Sequence, residues 1–187
     1  MFCLATGKFS SSCSRKAKRP SSTSCEVYRA SALGGGHTGE FVFRSLQVKK
    51  GIIEQDEYEL GLRKILNFGH TFGHALEGAT DYAVPHGIAV AWGVDLANFV
   101  SFSRGSLEKE WFDKIHRFLA ENFLPSVEVA PDPADIFARL RRDKKVREGK
   151  VQLILMGKPG DLRIVPTDLD RRLEDDICGY TAFSCAR

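Results

Sequence analysis

A chain of 187 residues with 43% hydrophobic and 27% charged content is long enough for one domain with its own core, in the balance of an ordinary globular protein. No run approaches the roughly eighteen consecutive apolar residues of a membrane span. The net charge of +3 is unevenly placed. Residues 1–40 carry Lys8, Arg15, Lys16, Lys18, Arg19 and Arg29 against Glu26 and Glu40, which is +4 and leaves −1 for the rest. The remainder is therefore near neutral and presents no nucleic-acid face. The five cysteines (Cys3, Cys13, Cys25, Cys178 and Cys185) cluster at the two ends. An odd count without CxxC or Cys-His spacing argues against a disulfide framework or a zinc ribbon, and a reduced, cytoplasmic setting is expected.

In chain order, residues 1–40 do not read as core. "SSSCSRKAKRPSSTSC" (10–25) is Ser-rich and basic, and "ALGGGHTGE" (32–40) is a glycine stretch, with His37 a solvated loop histidine. A disordered tail and a transit peptide are both compatible with that composition; a segment foreign to the domain is the expectation. From Phe41 to Glu77, apolar residues recur at steps of three and four, which predicts two helices with a break near Gly51 and Asp56 in the first turn of the second. Pro85 restricts Val84 to an extended conformation, so His86 should open the next helix. "GIAVAWGVDLANFVSFS" is apolar nearly all round, as in a helix buried among helices. "SLEKEWFDKIHRFLAENF" predicts a further helix capped by Ser106, with His116 at its surface or boundary. Another helix is expected over 133–141, then a charged turn "RRDKKVREGK" with Gly149. "VQLILMGKPGDLRIV" is the one convincing strand pair, turning at "GKPGD", and "DLDRRLEDDI" should close the domain as a short helix. The fold class is mainly α with a small β-hairpin; the expected divisions are 1–40, a helical domain over 41–177, and a tail over 178–187.

Three of the five histidines, His70, His74 and His86, fall in "RKILNFGHTFGHALEGATDYAVPHGIAVAW" (63–92). On one continuous helix, Glu59, Arg63, Asn67, His70 and His74 would lie at roughly 0°, 40°, 80°, 20° and 60° about the axis, a single polar stripe. Leu62, Ile65, Leu66, Phe68, Phe72 and Leu76 occupy the other faces. Gly69 and Gly73 each lower helix propensity by about 1 kcal/mol relative to Ala, so close approach of a backbone or a ligand is expected there. Two histidines at i, i+4 can share a metal. The intervening Thr-Phe-Gly supplies no glutamate base, which excludes the HExxH metalloprotease reading. His86, after a turn that folds the next helix back, is the candidate further ligand; spacing does not decide between His70 and His74. Lys49, Arg63 and the "DKK" of Asp143–Lys145 add cations suited to phosphate and carboxylate groups. Each of these taken singly is also an ordinary solvated charge.

"RKILNFGHTFGHALE" (63–77) with "HGIAVAWG" (86–93) resembles the signature of 3-dehydroquinate synthase and related sugar-phosphate cyclases. The approach "VKKGIIEQDEYELGLR" (48–63) and the later "DKK" and "LIL" of 143–155 match as well. The resemblance spans about 41–177 and implies the helical C-terminal domain of that fold, shared with iron-containing and glycerol dehydrogenases. It implies a zinc- or cobalt-dependent, NAD-dependent lyase of the shikimate pathway, forming 3-dehydroquinate from a phosphorylated seven-carbon keto-acid sugar. By motif position, His70 and His86 match metal ligands. Lys49, Glu59, Arg63, Asn67 and His74 match substrate-binding or catalytic positions, with His74, Glu59 and Lys49 in the catalytic set; Lys144 or Lys145 would contact substrate. The family implies a homodimer. Ile88 stands where the family has glutamate. The family's NAD-binding domain and third metal ligand, also a glutamate, have no counterpart in 1–40, so a fragment without turnover of its own is expected. Competing readings are a sister cyclase acting on sedoheptulose 7-phosphate or a hexose 6-phosphate, a polyol dehydrogenase, and a non-catalytic metal-binding domain.

Overall fold

The computed structural model describes residues 38–124, 131–143, 146 and 148–185. In order, these form α1 (Thr38–Gln55), a 3-10 helix (Leu62–Asn67), α2 (His70–Ala79), α3 (His86–Ser103), α4 (Lys109–Asn122), α5 (Pro133–Arg141), β1 (Lys150–Lys158), β2 (Asp161–Asp168) and α6 (Arg171–Cys185). They divide into two compact units, one comprising 38–66 with 159–161, the other beginning at Asn67 and holding everything else. The helical class and the single two-stranded hairpin agree with the sequence reading.

In the first unit, α1 runs unbroken through Gly51. No atom lies within 4 Å of a Cβ built on that glycine, so nothing forces a bend there. The helix is supported by i, i+4 pairs, Glu40 with Arg44 and Lys50 with Glu54, each contributing a few tenths of a kcal/mol.

The second unit is organised around α3. Twelve of its residues are buried, and it packs against α2, β1, α4 and α6. No helix among the described residues is long and apolar enough to cross a membrane. Against this axis lie Phe72 and Leu76 of α2, Phe112 and Leu119 of α4, Leu153 and Met156 of β1, and Leu173 and Ile177 of α6, while Ile136 and Leu140 belong to α5, which packs on α2 and α6; all are at most 2% exposed. Glycines set the α2–α3 pairing. A Cβ on Gly93 would overlap the carbonyl oxygen of Gly69, and one on Gly73 would meet the Ala89 carbonyl at 3.0 Å. The two helices thus touch backbone to backbone, which is the close approach expected of Gly69 and Gly73.

Other elements differ from expectation in instructive ways. α5 starts where predicted, with Asp132 accepting from the Ala134 amide at 2.9 Å and Pro133 in the first turn. α4 begins at Lys109 rather than after Ser106, because Leu107 is pulled into the core at 2% exposure and Glu108 becomes the capping residue. The hairpin turns at Pro159-Gly160, with Gly160 at φ +86°, as predicted. The final helix is longer than a short closing segment. It continues to Cys185, and Tyr180 on it is fully buried.

Tyr180 belongs to a polar nest inside the apolar unit. Its hydroxyl donates to Asp95 Oδ2 at 2.9 Å, and His116 Nδ1 donates to the same oxygen at 2.7 Å. His116 is therefore a core residue at 3% exposure, not the surface or boundary histidine expected. Asp95 Oδ1, both polar atoms of Asn98 and His116 Nε2 have no partner among the described residues. That makes the nest the energetically expensive part of the core. Ser101, two turns along α3, donates to the Ala97 carbonyl and accepts the Met156 amide of β1 at 3.1 Å.

Two measurements follow. Gly93→Ala forces apart backbones in contact, so it should destabilise by about 1–3 kcal/mol and lower Tm by roughly 2–4 °C per kcal/mol. Gly51→Ala, in open space, should raise stability by up to about 1 kcal/mol; thermal-melt shifts of opposite sign, the Gly93→Ala shift the larger, would be the signature. Burial, then the Asp95 charge, holds the Tyr180 hydroxyl well above the ordinary value of 10.0. The unfolded chain therefore releases this proton first. The stability Tyr180 contributes is complete below pH 10.0 and is lost as pH rises beyond it. Urea unfolding above that pH should show a steeper loss in the native chain than in Tyr180→Phe.

Candidate metal and substrate site

The predicted helix from Asp56 to Glu77 does not form, and the reason is local. The Asp56 carboxylate accepts the amides of Leu60, Gly61 and Arg63 at 2.9, 2.8 and 2.9 Å. These bonds draw the chain into a tight loop, the competition by which aspartate opposes helix. Glu59 takes a left-handed φ of +56° in that loop. A six-residue 3-10 helix follows, and Gly69 at φ +80° ends it before α2 starts at His70. The five-residue stripe is therefore not one helical face. Glu59 and Arg63 sit in the first unit, His70 and His74 on α2 in the second.

What the break creates is a helix that begins on a histidine. α3 also begins on one, since Pro85 at ψ 140° holds the preceding backbone extended and His86 is the first helical residue, as the sequence predicts. The close α2–α3 crossing brings the three rings together. Their centroids are 5.6 Å apart for His70–His74, 5.5 Å for His70–His86 and 5.7 Å for His74–His86. His70 Nδ1 donates to the Phe68 carbonyl at 3.3 Å, and His86 Nδ1 to Glu77 Oε1 at 3.0 Å. Donor atoms of His74, Glu77 and His86 all lie within 4.8 Å of one another. His74, Glu77 and His86 thus offer two imidazoles and a carboxylate at metal-ligand spacing, with the His70 ring 5.5 to 5.6 Å from the other two rings, so the residues present fit a zinc or cobalt ion.

Glu77 is the member that sequence reasoning missed. The signal was present: His70, His74 and Glu77 stand at i, i+4 and i+7, one face of one helix. Of the other predicted residues, Lys49 is exposed on α1. Glu59 is exposed in the loop, and Arg63 is half-buried with its guanidinium Nη1 donating to the Glu57 carbonyl at 2.6 Å. Asn67 is half-buried at the end of the 3-10 helix. Lys144 and Lys145 lie outside the described residues.

With this geometry in hand, the comparisons are direct. A sequence model of the family "3-dehydroquinate synthase C-terminal" matches residues 15–146. This chain belongs to that family. It is 38% identical over 122 residues to the 3-dehydroquinate synthase of Dehalococcoides mccartyi, covering 65% of this chain and 34% of that protein. With the Synechocystis 3-dehydroquinate synthase it shares 40% over 128 residues, 67% of this chain and 35% of the relative. The chain thus spans about a third of the length of the curated relatives it matches. Among solved structures, it is similar to 2-deoxy-scyllo-inosose synthase complexed with carbaglucose-6-phosphate, NAD+ and Co2+ (TM-score 0.64, 23% identity, 73% of this chain and 39% of that one). It is also similar to a Streptomyces hygroscopicus 2-epi-5-epi-valiolone synthase with NAD+ and Zn2+ bound (TM-score 0.68, 22% identity, 90% and 48%). These two likenesses establish the helical fold of a 3-dehydroquinate synthase-like domain.

The Asp56 loop that ends in Arg63 yields a test. Three amide hydrogen bonds, led by those from Arg63 and Gly61, hold the Asp56 carboxyl below its ordinary 3.8. The loop is therefore fully supported above that pH and loses support as pH falls through the lower, folded value. In hydrogen exchange corrected for intrinsic rates, the Leu60, Gly61 and Arg63 amides should lose protection below pH 3.8, while α3 amides keep theirs. Asp56→Ala should remove the same protection at neutral pH.

Proposed function

We propose that the chain is the metal- and substrate-binding helical part of a 3-dehydroquinate synthase. In this reading, it serves the elimination of phosphate from a phosphorylated seven-carbon keto-acid sugar, the carbon-oxygen lyase step that leads to 3-dehydroquinate in aromatic amino acid synthesis. The observation that carries the proposal is the imidazole cluster, three rings 5.5 to 5.7 Å apart at the starts of two crossed helices, inside a chain of this family.

His70 and His86 would hold a divalent zinc or cobalt ion. Bound there, the ion supplies Lewis-acid polarisation of the substrate alcohol that NAD oxidises. The chain's own residues do the rest. His74 presents a ring nitrogen beside the other two imidazoles and moves a proton to or from the reacting substrate oxygen. The Arg63 guanidinium binds one substrate anion in two-pronged fashion, and Lys49 with Lys144 or Lys145 binds the other as point charges. Asn67 orients a ring hydroxyl, and Glu59 serves as the accompanying acid–base group. No described residue is assigned to NAD. The same reading carries a homodimer in the cytoplasm.

Zinc titration by calorimetry tests the metal assignment. Binding should be lost in His70→Ala and in His86→Ala; binding unchanged in both would sink it. Turnover is tested by phosphate release with NAD and cobalt present. The NAD-binding half of a curated relative is added, so that the cofactor is presented whatever lies outside this sequence. His74→Ala should lower the rate by about 10²–10⁴-fold. Preferential turnover of a sugar phosphate that lacks a carboxylate would assign the chain to a sister cyclase instead.

A further inference from the structure

An imidazole that holds an ion must present one lone pair to it, and the other ring nitrogen decides which. A neutral imidazole carries a single N–H, so an acceptor placed on Nδ1 keeps the proton there and leaves Nε2 as the donor atom. For His70 the acceptor is its own backbone neighbourhood, the Phe68 carbonyl. Among the described residues, no backbone carbonyl serves His86. It is the first residue of α3, its side chain is 57% exposed, and the group on its Nδ1 comes from another helix: Glu77 Oε1 at 3.0 Å.

Glu77 is built for this role. Its side chain is only 12% exposed, unusual for a glutamate beside an open cluster. It reaches His86 from α2, which is held against α3 by the glycine crossing. We infer that Glu77 is the positioning residue of His86. Its carboxylate accepts the Nδ1 proton, fixes the ring's orientation and tautomer, and aims Nε2 toward the ion. This rests on the metal reading above. A direct metal bond from Glu77 is the competing arrangement, since its carboxylate lies within 4.8 Å of donors on His74 and His86. The 3.0 Å contact to Nδ1 favours the positioning role, because coordination through that nitrogen would require the hydrogen bond to be given up.

The purified chain allows three linked measurements. Nitrogen NMR of the metal-free protein, at a pH where imidazoles are neutral, should show His86 protonated at Nδ1. That signature should be lost in Glu77→Ala and retained in Glu77→Gln, whose amide oxygen still accepts the proton. Zinc affinity should fall about ten- to a hundredfold in Glu77→Ala and recover substantially in Glu77→Gln. At saturating cobalt, the absorption bands should coincide in native chain and Glu77→Gln. Native-like melting of Glu77→Gln, which keeps side-chain volume, separates these effects from misfolding. A cobalt spectrum altered at saturation would make Glu77 a ligand and overturn the inference. So would unchanged zinc affinity in Glu77→Ala while His86→Ala abolishes binding, an outcome that leaves the metal reading standing. Failure of the native chain to bind zinc would overturn both.

Discussion

The contact of α2 with α3 through bare backbone is the constraint from which the site follows. Side chains normally keep helix axes some 8–10 Å apart. Here Gly93 lies over the Gly69 carbonyl and Gly73 against Ala89, so the helices meet with nothing between them. His70 and His86, each the first residue of its helix, are brought to neighbouring positions as a result. His74 follows one turn along α2, and Glu77 another. Remove the contact and the four groups are merely residues on two helices.

A helix pair held so closely must be supported along its remaining length, and α3 receives that support from every side. Its apolar face packs on α4, β1 and α6, but it also carries Asp95, Asn98 and Ser101 into the interior, each fully buried. Ser101 is repaid at once by the Met156 amide of β1. Asp95 ties α4 and α6 to α3 through His116 and Tyr180. A hydrogen-bonded carboxyl in an apolar interior is costly to misplace, so the nest fixes one rotational setting of α3 where aliphatic packing alone would tolerate several. That rotation also decides which way His86 faces.

Much of this is legible in the sequence, and each misreading has its own physical cause. The histidine cluster could be read because its information is local: an i, i+4 pair, a proline just before His86, glycines where a helix should not want them. The hairpin and α5 were legible for the same reason, through a Pro-Gly turn and an Asp-Pro start. The single polar stripe was wrong because periodicity counts side chains and ignores what one carboxylate does to backbone amides. Asp56 captured three of them, and Gly69 turned left-handed. His116 was misjudged because its partners are far away in sequence, 21 residues to Asp95 and 67 to the ring of Phe183, the latter in a tail that looked unrelated to the fold. Glu77 was overlooked for a different reason. It was treated as the end of a helix, though its spacing from His70 placed it on the same face.

A joint made of main chain differs from one made of side chains in how it responds to mutation. Packed side chains can be exchanged, and each exchange moves the elements by fractions of an ångström. The separation of α2 and α3 is instead set by van der Waals contact of main-chain atoms at Gly69, Gly73, Gly93 and Ala89, where the glycines have no side chain to exchange. Sequence drift in the surrounding core, at Leu119 or Ile136 for example, should therefore spend itself on thermal stability while the imidazole spacing stays put. The cluster is insulated from the rest of the protein's evolution by three residues that have nothing to vary.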